Sequence, residues 1–255
     1  MTMLSRLPNP VRLLLALLGV GLGLNLRDIA AAIGAPIPAL PIPYGGSLLD
    51  NALAVLLALL LAALLRPRGV GLFASLGLHG NGWSGPLCVL LASLPCWLGL
   101  ALLGTPNTAL TVLDAAMLAV LFPVAEEMLF RGLGFILLVK IVRGPWPLLA
   151  LPQALLFGWV HWLGFGGFEG GGTALFIGAV IAFGGFIFAW LDHLDGDTLW
   201  CGLVLHVSMN LAWNVFSLDD AIALGWQATS LRIGTALLAV AALAWHRRRR
   251  RPTRL

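Results

Sequence analysis

Charge is scarce in this chain. Asp, Glu, Lys and Arg make up 10% of its 255 residues, and 60% of the residues are hydrophobic. A soluble domain carries about 25% charged and about 45–50% apolar residues. The shortage of charge excludes an ordinary soluble globular protein, and the apolar excess excludes disorder. Cysteine is scarce as well. Three residues (Cys88, Cys96 and Cys201) cannot pair evenly, which excludes a secreted disulfide scaffold. Each lies in apolar surroundings without an adjacent base, so none is nominated as a nucleophile. His-Glu-x-x-His and Gly-x-Ser-x-Gly are both missing. There is no internal repeat and no low-complexity domain.

What is present is apolar length. Mean hydropathy is +0.96, and a bilayer crossing needs about 20 apolar residues. The pattern predicts spans near 11–27, 48–65, 86–104, 108–143, 146–163, 173–191, 198–217 and 230–246. This is an all-α, polytopic membrane helix bundle of about eight transmembrane helices, a single membrane domain over 1–255. Turn chemistry separates the spans: Pro36 to Gly46 and Gly164 to Gly172 are rich in Pro or Gly. The first span, followed by Ala30, Ala31 and Ala32, also fits a signal peptide; an uncleaved span is the preferred reading. Pro123 interrupts 108–143 by removing a backbone donor, which predicts one long kinked helix.

The net charge of +4 does not point to nucleic acid, because the basic residues flank apolar runs. Arg6, Arg12, Arg66, Arg68, Lys140, Arg143, Arg247–Arg251 and Arg254 all fall on one side of the eight-span layout. That is twelve of the fifteen basic residues, and it leaves out Arg27, Arg131 and Arg232. The positive-inside rule then places both termini in the cytoplasm, with the tail anchored against anionic lipid. Trp146, Trp190, Trp200 and Trp245 fall near the same boundary, as an aromatic belt does.

Against this background the polar residues within spans are informative. An ionisable group there costs about 2.5–3.5 kcal/mol on insertion scales, and such groups usually face a cavity or one another. The densest group is Pro123-Val124-Ala125-Glu126-Glu127-Met128-Leu129-Phe130-Arg131. Glu127 and Arg131 are i and i+4 on one helix face, so their pairing offsets part of the burial cost. Glu126 points about 100° away from Glu127 and is the better candidate for chemistry. The alternative is a structural clamp with a second Glu facing water. Next comes Phe157-Gly158-Trp159-Val160-His161. With Gly144 as a hairpin tip, Glu126 lies 18 residues before it and His161 17 after, so the two sit at similar depth. The alternative for His161 is a packing role. Third, His206 and Asn210 are again i and i+4, with Asn214 continuing the stripe. The alternative here is interhelical hydrogen bonding, worth about 0.6–2 kcal/mol per contact.

A carboxylate, two imidazoles and a carboxamide suffice for hydrolysis. A Glu can take a proton from water, and His and Asn can donate to a developing oxyanion. The same residue types can ligate a divalent metal, and Asn suits an oxyanion better than zinc.

The order Glu-Glu-x-x-x-Arg, Phe-x-x-x-His, His-x-x-x-Asn resembles the CPBP family. These are CAAX-protease and bacteriocin-processing type intramembrane proteases, related to the Rce1 prenyl-protein endopeptidase. The motifs lie within roughly 120–216, and the resemblance implies catalytic helices over 108–217. It implies a glutamate-dependent intramembrane endopeptidase in which Glu126 and His161 activate water, His206 and Asn210 hold the oxyanion, and Glu127 and Arg131 support them. The favoured expectation is a site without a metal cofactor; if zinc is present, its ligands are Glu126, His161 and His206. The implied partners are the lipid bilayer and a membrane-anchored or lipidated protein or peptide, cut near the cytoplasmic half of the membrane. CAAX processing, bacteriocin maturation or immunity, and sorting of C-terminally anchored proteins all fall within that class. The rival readings are a metal-ion or small-solute transporter built on the same Glu/His cluster, and a non-catalytic membrane scaffold.

Elsewhere, Asp192, Asp195 and Asp197 with His193 read as a solvated turn, with Asp197 capping the next helix. Asp114 lies about 120° around the helix from Glu126 and is expected to face elsewhere. Arg27 and Asp28 read as an interface pair. The stretch Gly164–Gly172 reads as a connector.

Overall fold

In a bilayer the backbone of a long apolar segment has only itself to bond to, so it winds into helix. The computed structural model describes residues 7–250. In order, α1 (Asn9–Gly23) and α2 (Leu26–Ala32) are followed by α3 (Gly45–Leu65), the short α4 (Leu72–Ser75), α5 (Ser84–Ala92) and α6 (Leu94–Leu103). One long helix then winds through α7 (Val112–Ala116), α8 (Phe122–Glu126) and α9 (Leu137–Val142). π-wound stretches at Met117–Leu121 and Glu127–Ile136 join these segments. The chain continues through α10 (Trp146–Gly164), α11 (Gly171–Leu194), α12 (Trp200–Val215), the short α13 (Asp220–Ala223) and α14 (Trp226–Arg250).

The all-α reading holds apart from two paired dipeptides. Thr105–Pro106 and Phe216–Ser217 form a minimal antiparallel ladder that ties the end of α6 to the end of α12. The count of eight spans is not reached on length and hydropathy. Among the described residues four helices qualify, Gly45–Leu65, Ser84–Leu103, Gly171–Leu194 and Trp226–Arg249. The pair α1 and α2, bent by 81°, makes five. Helices also stand at the other three expected places. Those three, the long helix, α10 and the 16-residue α12, are the ones whose apolar runs are interrupted by the polar motifs.

Pro123 is accommodated by the π-winding before it. The Phe122 N–H reaches back five residues to the Met117 carbonyl, which widens the turn where a proline ring would otherwise press on the preceding backbone.

Two apolar cores hold the bundle. Ala16, Ala58, Leu129, Phe130, Leu133 and Phe157 join α1, α3, the long helix and α10. Val89, Ile187, Phe188, Leu205 and Val240 join α5, α11, α12 and α14. The hairpin of α10 and α11 closes tightly on small residues. A Cβ added at Gly158 would lie 2.5 Å from the Gly178 carbonyl oxygen and 2.6 Å from the Ala182 Cβ. Such small-residue contacts let helices approach closely in a membrane, where apolar burial alone gives no drive to associate.

Several smaller expectations are corrected. Arg27 pairs with Asp50 of α3 at 3.1 Å rather than with Asp28; consecutive helical residues point about 100° apart and do not face each other. The 192–197 turn is only partly solvated: Asp192 and Asp195 are fully buried, while His193 and Asp197 stay partly exposed. Asp192 accepts the Gly202 N–H at 2.9 Å, while Asp195 pairs with Arg247 and accepts from Thr198. Asp197 caps no helix; it takes a left-handed φ of 59° and bonds His193 Nδ1 at 2.9 Å. Asp114 does face elsewhere. It closes a capping box with Thr111 and accepts from the Tyr44 hydroxyl at 2.6 Å.

The residues proposed for an aromatic belt gather at one end of the bundle. Trp146 packs on Trp190 and His193, and Trp200 donates to the His79 carbonyl at 2.8 Å. Trp245 lies under the Arg249 guanidinium. This is also the end of Lys140, Arg143 and Arg247. Arg6 and the tail beyond Arg250 lie outside the described residues.

Candidate active site

Glu126 and Glu127 are adjacent in sequence and diverge in space. Glu127 is fully buried. Its Oε1 meets Arg131 at 3.5 Å and accepts a hydrogen bond from His206 Nδ1 at 2.8 Å. Glu126 ends the α-wound segment at the lip of the π-wound stretch, and its side chain keeps 19% exposure. Its Oε2 lies 3.7 Å from His206 Nε2, beyond hydrogen-bond length. A single imidazole on α12 thus stands between the two carboxylates, anchored on one and facing the other.

His206 is fixed by rings as well. It stacks on Phe188 of α11, with centroids 4.8 Å apart, and meets the edge of Phe157 of α10 at 6.2 Å. The same two rings flank Arg131, whose guanidinium carbon lies 4.2 Å from the Phe157 centroid and 4.9 Å from that of Phe188. Arg131 is fully buried, and among the described residues its nitrogens find no hydrogen-bond acceptor. Its charge is met by Glu127 and by the faces of two rings, the latter a favourable contact for a desolvated cation. Phe157 belongs to the first apolar core and Phe188 to the second, so Arg131 is clamped where the two cores meet.

On α10, His161 Nδ1 lies 2.9 Å from the Phe157 carbonyl oxygen. A carbonyl only accepts, so Nδ1 carries the proton, and Nε2 of the neutral ring is left with its lone pair. The side chain packs against Phe157, with centroids 4.6 Å apart. On α12, Asn210 makes a long contact to the Leu118 carbonyl, 3.4 Å, in the first π-wound stretch. Asn214 donates to the Asn210 carbonyl at 2.8 Å and its own carbonyl accepts from Asn107. Its part of the stripe is therefore spent on structure.

Glu126, His161, His206 and Asn210 line one cavity of about 290 Å³. Glu127 and Arg131 lie behind its wall, buried. The remaining walls are mostly apolar and include Phe157, Ile181, Phe183, Phe188 and Met209. The cavity runs from the middle of the bundle toward Phe165, just past the end of α10, and Arg232, near the start of α14. That is the end opposite Lys140, Arg143 and Arg247.

The donor set also bears on a metal. Among the described residues no group of three or more His, Cys, Asp or Glu side chains is arranged to hold one ion. His206 Nδ1 is held by Glu127 and His161 Nδ1 by a backbone carbonyl, contacts that orient an imidazole for catalysis and that metal-ligating histidines make as well.

Phe188 and Arg232 escaped the sequence reading. Nothing in the sequence marks Phe188 among twelve phenylalanines. Arg232 did leave a signal, as one of three basic residues outside the one-sided charge pattern.

Residues 108–212 match the model of the family described as Type II CAAX prenyl endopeptidase Rce1-like. The match covers less than half of the chain and takes in all six of Glu126, Glu127, Arg131, His161, His206 and Asn210. The chain thus carries a segment that matches an Rce1-like domain, consistent with the CPBP proteases, and its apolar helices fit an integral membrane protein. No curated protein and no solved structure matches it.

Proposed function

We propose that this Rce1-like membrane protein hydrolyses a peptide bond in a membrane-anchored or lipidated protein or peptide, with Glu126 as the general base. The observation that carries the reading is the shared cavity: a partly exposed carboxylate, a His with a free Nε2 lone pair, a second His and a carboxamide, enclosed by apolar walls. Glu126 and His161 orient a water, and Glu126 takes its proton as the oxygen attacks the scissile carbonyl carbon. The carbonyl oxygen becomes an oxyanion that accepts hydrogen bonds from His206 Nε2 and Asn210 Nδ2. As the tetrahedral intermediate collapses, the C–N bond breaks and Glu126 returns the proton to the leaving amine. Glu127 holds His206 through Nδ1 and so turns Nε2 to the oxyanion. Arg131 in turn holds Glu127.

The apolar walls suit a substrate bearing a lipid or an apolar tail, and the family name brings prenylated substrates into that class. The proton transfers described need no metal ion. The twelve one-sided basic residues favour cytoplasmic termini.

Wild-type protein and Glu126→Gln, purified in detergent, test the reading on a panel of membrane-anchored and prenylated peptides, with products read by mass spectrometry. Cleavage by wild type alone, indifferent to a strong chelator, is the expected result. Equal cleavage by both forms removes Glu126 from the mechanism. Cleavage lost to chelator and restored by zinc overturns the metal-free part.

A further inference from the structure

The mechanism leaves one charged side chain of the cavity wall without a task. Arg232 stands about two turns into α14, outside the matched domain, and lines the cavity beside Asn210 and Trp213. Its guanidinium carbon lies 4.3 Å from the Trp213 ring centre, and its Nε makes a long 3.4 Å contact to the Ala228 carbonyl of its own helix. Among the described residues, no Asp or Glu forms an ion pair with it. A guanidinium within an apolar span is costly unless a partner meets its charge.

One turn earlier, Thr229 is 7% exposed, and its Oγ1 has no hydrogen-bond partner among the described residues. At i and i+3, Thr229 and Arg232 share a helix face. Both line a second cavity of about 220 Å³, whose other walls include Phe176, Ile177 and Leu224. Phe165, Trp213 and Arg232 border both cavities. A guanidinium with no acidic partner among the described residues and a hydroxyl with no hydrogen bond, in an otherwise apolar space, fit a planar oxyanion, which a guanidinium fork binds in bidentate fashion.

We propose that Arg232, assisted by Thr229, binds the free α-carboxylate at the C-terminus of the peptide substrate. This rests on the hydrolase reading above. Trp213 lies three residues beyond Asn210 on α12, about 4.5 Å along the axis, and an extended peptide advances about 3.3–3.6 Å per residue. A carboxylate seated at Arg232 therefore places the bond at Asn210 only a few residues from the end of the substrate. Arg232 then measures the position of the cut from the chain end, while Glu126 makes it. A lipid phosphate shares the oxyanion chemistry, and the test separates the two sources.

The test pairs each cleaved peptide with its C-terminal carboxamide, in nanodiscs of phosphatidylcholine. Wild type should cleave the acid about 10–100-fold more efficiently than the amide. Arg232→Gln should cleave both at the amide's rate, and Arg232→Lys should recover part of the difference. Binding is read separately in the Glu126→Gln background, where nothing is cut. The acid should bind at least 10-fold more tightly than the amide, and Arg232→Gln should abolish the difference. This binding step stands even if the protein cleaves none of the panel, so failure of the hydrolase reading and failure of this proposal show separately. Equal binding of acid and amide overturns the proposal. So does an acid preference that survives Arg232→Gln. Anionic phospholipid retained by wild type and lost in Arg232→Gln, with acid and amide bound alike, assigns the cation to a lipid headgroup instead.

Discussion

Two sets of ionisable side chains are sunk into this bundle, one around Asp195 at the basic end and one around the cavity. At the basic end, Asp195 is fully buried and pairs with Arg247, accepts from the Thr198 hydroxyl, and offers its carbonyl to Asn81. Nearby, Asp192 accepts the Gly202 N–H. Around the cavity, Glu126 has only a 3.7 Å approach to His206, Asn210 only a 3.4 Å contact, and Arg232 no ion pair. Both bear the cost of burying charge, but Asp195 is spent on its neighbours while the groups that face the cavity are held only loosely. A polar group that is satisfied internally stabilises the fold. One left partly unsatisfied beside open space is available to a substrate. Glu126 and Glu127 repeat the contrast at a separation of one residue.

The sharpest way to break this comparison is Glu126→Gln. Activity should fall about 10²–10⁴-fold, the usual worth of a general base, while the unfolding temperature in detergent stays near wild type. A large loss of stability would put Glu126 in the first class instead. Asp195→Asn should do the opposite, lowering stability by about 1–3 kcal/mol through loss of a charge-assisted pair. Thermal unfolding reads that loss, and cleavage per folded molecule should stay unchanged.

Glu127→Gln lies between these cases. It weakens the hold on His206 and removes the carboxylate paired with Arg131. Activity should drop about 10–100-fold, with a lowered unfolding temperature as well. Gly158→Ala should cost about 1–3 kcal/mol, because its Cβ presses on the Gly178 carbonyl and forces α10 from α11. Part of the activity should go with it, since His161 rides on α10.

The smallest effect concerns His79, in the loop between α4 and α5. Burial lowers its pKa below the ordinary 6.5, helped by the charge of Lys140. The folded protein thus prefers the neutral ring. Its contribution is present above pH 6.5 and is lost as pH falls through that value toward the lower folded pKa. His79→Gln should flatten that part of a stability–pH curve measured by thermal unfolding.

Much of the site follows from one-dimensional patterns. Glu127 and Arg131 pair because they are four apart on a helix, and Glu126, one residue earlier, is turned away from that pair. The helical hairpin around 144 brings His161 to the cavity that Glu126 lines. Other features depend on which helix becomes whose neighbour. His206 bonds Glu127 across 79 residues of chain. Phe188 and Phe157 clamp both His206 and Arg131, and no spacing announces such a contact. Arg27 chose Asp50, and Asp195 of the acidic turn was buried against Arg247 and Asn81 rather than left to water.

Composition and periodicity alone determined that this is a helical membrane protein and which few polar residues had to be accounted for. Both follow from the cost of leaving backbone or charge unpaired in an apolar medium, which is paid segment by segment. Which of those polar residues face one another, which face a cavity, and that the cavity lies toward the end opposite the basic residues were decided only by helix packing. Those contacts join residues far apart in the chain, and local pattern carries no information about them.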